Sequence, residues 1–127
     1  MTELSTPYSL IGGEEGVRRL TARFYRLMDT LPEAAACRAI HPPGLAGSEE
    51  KLFEYLTDWL GGPPLFVEKR GRPMLRARHL HAKIGAEETA GWLLCFRQAW
   101  SETVRSAALD AMILPKVEAL AQHMRNV

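Results

Sequence analysis

The chain is poor in anything that would tie it down from outside its own core. Two cysteines in 127 residues, Cys37 and Cys95, exclude a disulfide framework of the kind small secreted domains rely on. Cys95 lies inside an apolar helical run, so reduced thiols and a cytoplasmic setting are expected. No sign of charge is in excess: sixteen Lys and Arg against fifteen Asp and Glu leave +1. That balance argues against a global pull toward nucleic acid or membrane, and neither is expected as a partner. The longest apolar run, Gly91 to Phe96, falls far short of the roughly 20 residues that span a bilayer. The opening MTELSTPYSL has no basic start followed by an apolar stretch, so no signal peptide is expected. There is no internal repeat or low-complexity tract. No alternation of period two is long enough to demand a strand.

What is present is helical. The apolar share of 46% suits one domain, residues 1–127, that buries its own core. Val17, Leu20, Phe24, Leu27 and Met28 recur at spacings of three and four with arginines between them, and Pro32 follows. A second helix is predicted over about Glu49–Leu60, with Ser48 as its N-cap and Gly61, Gly62, Pro63 and Pro64 as its stop. A third covers roughly Ala86–Ser101 and is apolar around much of its circumference. A fourth covers about Glu102–Met124, where Pro115 predicts a kink or break near Ile113. The fold class is all-α.

Two stretches resist this scheme. Residues 30–47 read as a short helix followed by an extended turn. Residues 61–85 form a long connection with one short turn around Leu75–Leu80, and such loops are usually functional or mobile. Between Lys69 and Lys83 lie six cations, namely Lys69, Arg70, Arg72, Arg76, Arg78 and Lys83, and no acid. A basic loop on an otherwise mildly acidic chain implies either a solvated surface or a local anionic partner. The same stretch holds two of the four histidines, His79 and His81. A zinc site needs four ligands, and His41, His123, Cys37 and Cys95 supply no recognisable spacing. A lone imidazole suffices for haem, whose iron takes its equatorial ligands from the porphyrin. The residues alone leave open a haem protein or a haem-free helical module that binds an anionic partner through residues 69–83.

The segments YSLIGGEEGVRRL, RFYRLMD, HPPGLAGSEEKLFEYLTDWLGGP, EKRGRPMLRARH and IGAEETAGWLLC occur in that order. Together, over about residues 8–100, the chain resembles a truncated haemoglobin of group II. The resemblance implies a two-over-two helical sandwich around one haem b, with His79 as the proximal iron ligand. Its Nε2 would bind iron while Nδ1–H donates to a backbone carbonyl. His81 and Ala82 stand where relatives commonly carry Pro then Phe, which removes a rigid turn beside His79 and leaves its tilt open. His81 itself reads as a solvated variant.

On the distal side the resemblance implies Tyr25, Trp92, His41, Ser48 and Leu52. The phenol and indole are hydrogen-bond donors toward a diatomic ligand, and His41 is held extended by Pro42 and Pro43. Phe53 and Phe66 are expected against the haem, and Arg70, Arg72, Arg76 and Arg78 near its propionates. The implied function is reversible binding of dioxygen or another diatomic ligand, with oxygen transport as the family's usual description. Ligand sensing, peroxide reduction or nitric-oxide detoxification with an unidentified reductase are the possible extensions. No classical catalytic residues are expected.

Overall fold

A computed structural model describes residues 5–127, and its helices fall into two crossed pairs. In chain order the elements are α1 (Pro7–Leu10), α2 (Gly13–Thr30), a 3-10 turn (Pro32–Ala34), α3 (Ala35–Ala39), α4 (Ala46–Trp59), α5 (Leu65–Arg70), α6 (Leu75–His79), α7 (Ala86–Thr103) and α8 (Ala107–His123). No strand occurs among the described residues. The pair α2 and α4 packs over the pair α7 and α8, chiefly through α2 against α7, and α3 closes one side against α7. This is the two-over-two sandwich. Among the described residues, no helix is long and apolar enough to cross a membrane.

Local chemistry explains most boundaries. Gly12 and Gly13 take positive φ (110° and 65°) at the entry to α2, and Glu14 and Glu15 face the positive end of its dipole. The buried side of α2 is the stripe read from the sequence: Val17, Leu20, Phe24, Leu27 and Met28 are each at most 2% exposed. Gly91 is required where α7 crosses the 3-10 turn and α3. A Cβ there would sit 3.2 Å from both Ala34 Cα and Cys37 Cβ. The glycine lets α3, and with it the loop carrying His41, press onto α7.

Three expectations need correction. Ser48 is not the cap of α4: the helix starts a turn earlier, at Ala46, with Leu45 in the cap position and no side-chain hydrogen bond there. The 61–85 connection is less irregular than its sequence suggests, since α5 fills Leu65–Arg70 between Pro64 and Gly71 (φ 78°). Helix α8 is not broken at Pro115. It starts at Ala107, where Ser106 Oγ accepts from the Leu109 amide at 3.2 Å, and runs through the proline to His123. Ala111, whose carbonyl loses its amide partner to Pro115, is exposed, and so is Pro115. Water can therefore satisfy that carbonyl, while Leu109, Ile113, Val117 and Ala121 keep the buried stripe intact.

Candidate functional site

The sandwich encloses a cavity of about 540 Å³ to which α2, α3, α4, α5, α6, α7 and α8 all contribute walls. Its size falls within the roughly 300–1,000 Å³ of small-molecule and cofactor sites. The lining is mainly aliphatic and aromatic, with Leu52, Leu56, Phe66, Phe96, Val117 and Leu120 among its members. Polar groups also enter the wall, some held by hydrogen bonds and some without a partner.

His79 is the last residue of α6 and lines the cavity. Its Nδ1 lies 2.7 Å from the carbonyl oxygen of Leu75, one helical turn earlier. A carbonyl can only accept, so Nδ1 carries a proton and donates it, which leaves Nε2 as the nitrogen not engaged by the backbone. Helix α6 is set by Met74, a non-glycine residue in the left-handed region (φ 38°), whose carbonyl accepts from the Arg78 amide at 3.0 Å.

Tyr25, His41 and Trp92 come together in an aromatic corner. Phe24 is its hub: its ring stands edge-on to Tyr25 at 4.8 Å and to Trp92 at 5.1 Å between centroids. Trp92 is stacked on Phe96 at 5.3 Å and 8°. Tyr25 and His41 meet edge-to-face at 6.0 Å. Neither the Tyr25 hydroxyl nor the Trp92 Nε1–H has a hydrogen-bond partner among the described residues, and both residues line the cavity. Burial, reinforced by Cys37 and Glu49, raises the Tyr25 pKa well above the ordinary phenol value, so the hydroxyl keeps its proton and remains a donor.

His41 is oriented by Nδ1 donating to the Cys37 carbonyl at 2.8 Å. The loop it sits on is clamped by Arg38, whose guanidinium donates to Asp29 (2.9 Å), to the Pro42 carbonyl (2.9 Å) and to the Pro43 carbonyl (2.8 Å). Burial lowers the His41 pKa, and the nearby charges of Arg38 and His79 lower it further against the raising effect of the Cys37 bond. The ring is thus held neutral with its Nε2 lone pair free. Ser48 and Leu52 also line the cavity, from successive turns of α4.

The cations divide sharply. Arg70 and Lys69 pair with Glu54, a carboxylate only 1% exposed, at 2.7 and 3.3 Å. Arg70 Nε does the donating, so its terminal nitrogens remain free at the cavity wall. Arg78 donates from Nη2 to the carbonyls of Arg70 (2.7 Å) and Arg72 (2.9 Å), lies over the Phe66 ring, and also lines the cavity. Arg72 and Arg76 do not line it. They project as exposed side chains and make no ion pair among the described residues. Phe53 is likewise displaced from its expected place: it is buried in the core with the Arg18 guanidinium 3.5 Å above its ring, and it does not line the cavity.

Several lining residues escaped the sequence reading. Lys51 adds a cation on α4 beside Leu52, and His81, read as a solvated variant, is exposed at the rim of the cavity. Cys37 places a thiol in the wall, with its pKa pushed up to about 12 by burial and by Cys95 nearby. Thr89 Oγ1 is buried in the same wall without a hydrogen-bond partner. Position on the α4 face shared with Ser48 and Leu52 was a usable signal for Lys51. Cys37 and Thr89 carried none, because nothing in their neighbourhoods distinguishes a cavity wall from ordinary core.

A two-over-two helical sandwich around one apolar slot, with imidazoles pinned in its wall, has the architecture of a truncated globin. Residues 6–126 match the family model described as bacterial-like globin, and the chain belongs to that family. It is 35% identical over 122 residues to the group 2 truncated hemoglobin YjbI of Bacillus subtilis, covering 96% of this chain and 89% of the relative. The solved group II 2-on-2 hemoglobin from Agrobacterium tumefaciens is similar at TM-score 0.96 and 59% identity, with 98% of this chain and 97% of that one covered. The truncated oxygen-avid haemoglobin of Bacillus subtilis is similar at TM-score 0.86 and 35% identity, with 96% and 100% covered. By family the protein is a haem-binding globin of the group II truncated type. The residues present fit that group: an apolar slot of suitable size, the imidazoles of His79 and His41 each with Nδ1 on a backbone carbonyl, and the cations Lys51, Arg70 and Arg78 on the wall.

Proposed function

We propose that the cavity holds one haem b with His79 Nε2 as its axial ligand, and that the protein reversibly binds dioxygen and related diatomic ligands. When bound, haem supplies an iron with one coordination position open to such a ligand. Everything else is the work of this chain. Helix α6 and the Leu75 carbonyl keep the His79 ring aimed, with Nδ1 donating. The apolar walls exclude water. Arg70, Arg78 and Lys51 line the cavity and would offer cations to the two carboxylates of the group.

Tyr25 and Trp92 are the donors on the ligand side. A diatomic ligand that gains partial negative charge on binding accepts from the phenol and the indole, while one that stays nearly apolar does not. Each such bond contributes on the order of 1.5–3 kcal/mol, which slows release roughly tenfold to a hundredfold. His41, neutral and pinned at Nδ1, offers an acceptor on Nε2 to a water or to the Tyr25 hydroxyl. Slow release favours sensing or ligand chemistry, such as peroxide reduction or nitric-oxide detoxification, over delivery. An external electron donor would be needed for turnover.

The observation that carries this reading is the meeting, in one cavity, of a pinned histidine and two donors that have no partner among the described residues. The similar protein described as oxygen-avid supports the same direction. Titration of the purified chain with hemin tests it. One equivalent should produce a Soret band, and His79→Gly should lose or greatly weaken the complex. Absence of a stoichiometric complex in the unaltered chain would overturn the proposal.

A further inference from the structure

We infer that Asn126, in the segment after α8, is a positioning residue for His79; the inference rests on the reading of His79 as axial ligand. Between His79 and α7 the chain makes a non-helical turn, LHAKIG over residues 80–85, with no proline to stiffen it. Something else must hold that turn. Asn126 Nδ2 donates to the Ala82 carbonyl at 2.8 Å and reaches the His79 carbonyl at 3.5 Å. Its Oδ1 accepts from the Ile84 amide at 2.9 Å, and its own amide donates to the Ile84 carbonyl at 2.9 Å.

The two ends of the side-chain amide cannot be exchanged. The Ile84 N–H only donates and the Ala82 carbonyl only accepts, so the planar group fits in one orientation. A carboxylate of the same shape would lose the donor and face the Ala82 carbonyl with like charge. The turn is closed on itself by the Ala82 amide donating to the His79 carbonyl at 3.0 Å, and Ile84 beyond it is buried at 8% exposure. Asn126 thereby ties the backbone of His79 to the segment that follows α8, a helix whose Val117 and Ala121 line the same cavity. The Leu75 carbonyl fixes the ring about its own axis; Asn126 fixes the chain that carries it. Without the clamp the imidazole can tilt relative to the slot.

The test uses the full chain loaded with hemin and reduced, in three forms: unaltered, Asn126→Ala and Asn126→Asp. A control, Gln122→Ala, removes an exposed side chain in the last turn of α8 whose amide donates only to Glu118. The readouts are the iron–histidine stretching band in the Raman spectrum and amide exchange at Ile84. Both Asn126 variants should shift or broaden the band and speed Ile84 exchange roughly tenfold, as expected for loss of about one net hydrogen bond, while the control changes neither. Should Asn126→Ala fail to fold, Asn126→Asp, which keeps the shape, decides. A hemin complex with the same band in the variants would overturn the role of Asn126 even if exchange quickens, because the residue would then be merely structural. An unaltered chain that forms no hemin complex would instead overturn the haem reading itself.

Discussion

The ring of Phe24 stands edge-on to the indole of Trp92, 5.1 Å between centroids and 62° between planes. Because Phe24 also meets its neighbour Tyr25 edge-on, one apolar ring fixes both donors of the cavity. Such aromatic contacts contribute about 0.5–1.5 kcal/mol each beyond area burial, enough to hold each side chain in place without using its polar end.

Tyr25→Phe removes only the hydroxyl and should leave the packing intact, whereas Trp92→Phe removes the indole N–H together with part of the ring stacked on Phe96. Tyr25→Phe and Trp92→Phe are expected to speed oxygen dissociation from the hemin-loaded, reduced protein roughly tenfold to a hundredfold each. Carbon monoxide release should change little. Stopped-flow replacement of each gas measures both. Equal acceleration of the two gases would point to steric change instead.

Glu54 should contribute to the acid sensitivity of the scaffold. Hydrogen bonding from Arg70, then from Lys69, holds this nearly buried carboxylate below its ordinary pKa of 4.5 despite its burial. A depressed folded value means the stabilisation is present above the unfolded pKa and is lost as pH falls through the folded one. Glu54→Gln should lower stability by about 1.5–3 kcal/mol near neutral pH. It should also flatten the fall in stability below about pH 4.5, as read by urea unfolding across pH.

How far the sequence discloses this molecule depends on whether a feature is periodic or assembled. The stripe on α2 and the ends of α7 are legible because burial repeats every three to four residues. His79 is legible only through resemblance, since one histidine in a basic loop has no period. Helix α5 was hidden by its shortness and by the neighbouring prolines, although Gly71 and the basic last turn mark its end. The sorting of the arginines is invisible in sequence: Arg70 is claimed by Glu54, sixteen residues away, and Arg78 by two backbone carbonyls. Phe53 illustrates the same limit, because its helical neighbour Leu52 faces the cavity while Phe53 itself turns to Arg18.

The crossing at Gly91 should tolerate no side chain. Gly91→Ala puts a methyl 3.2 Å from Ala34 Cα and Cys37 Cβ, backbone and near-backbone atoms that cannot swing aside. Overpacking of this kind costs about 1–3 kcal/mol. Thermal unfolding should register the loss, together with a shift in the His41 ring resonances as α3 is pushed from α7.

The two thiols should be silent in the native state. Burial pushes Cys37 up to about 12 and Cys95 up to about 11, so thiolate is scarce at neutral pH, and both are buried. A disulfide reagent at pH 7.5 should label neither within the time that unfolded chain is labelled fully. Fast modification of Cys37 in the native protein would show that the cavity wall opens.

The central claim is that the imidazole of His79, and no other in the chain, bonds the iron. The Raman spectrum of the reduced, hemin-loaded protein compared with His79→Gly tests it most directly, because His41 and His81 line the same cavity. The account predicts an iron–histidine band that vanishes in the variant and returns when free imidazole is added. A band that persists unchanged in His79→Gly would contradict it.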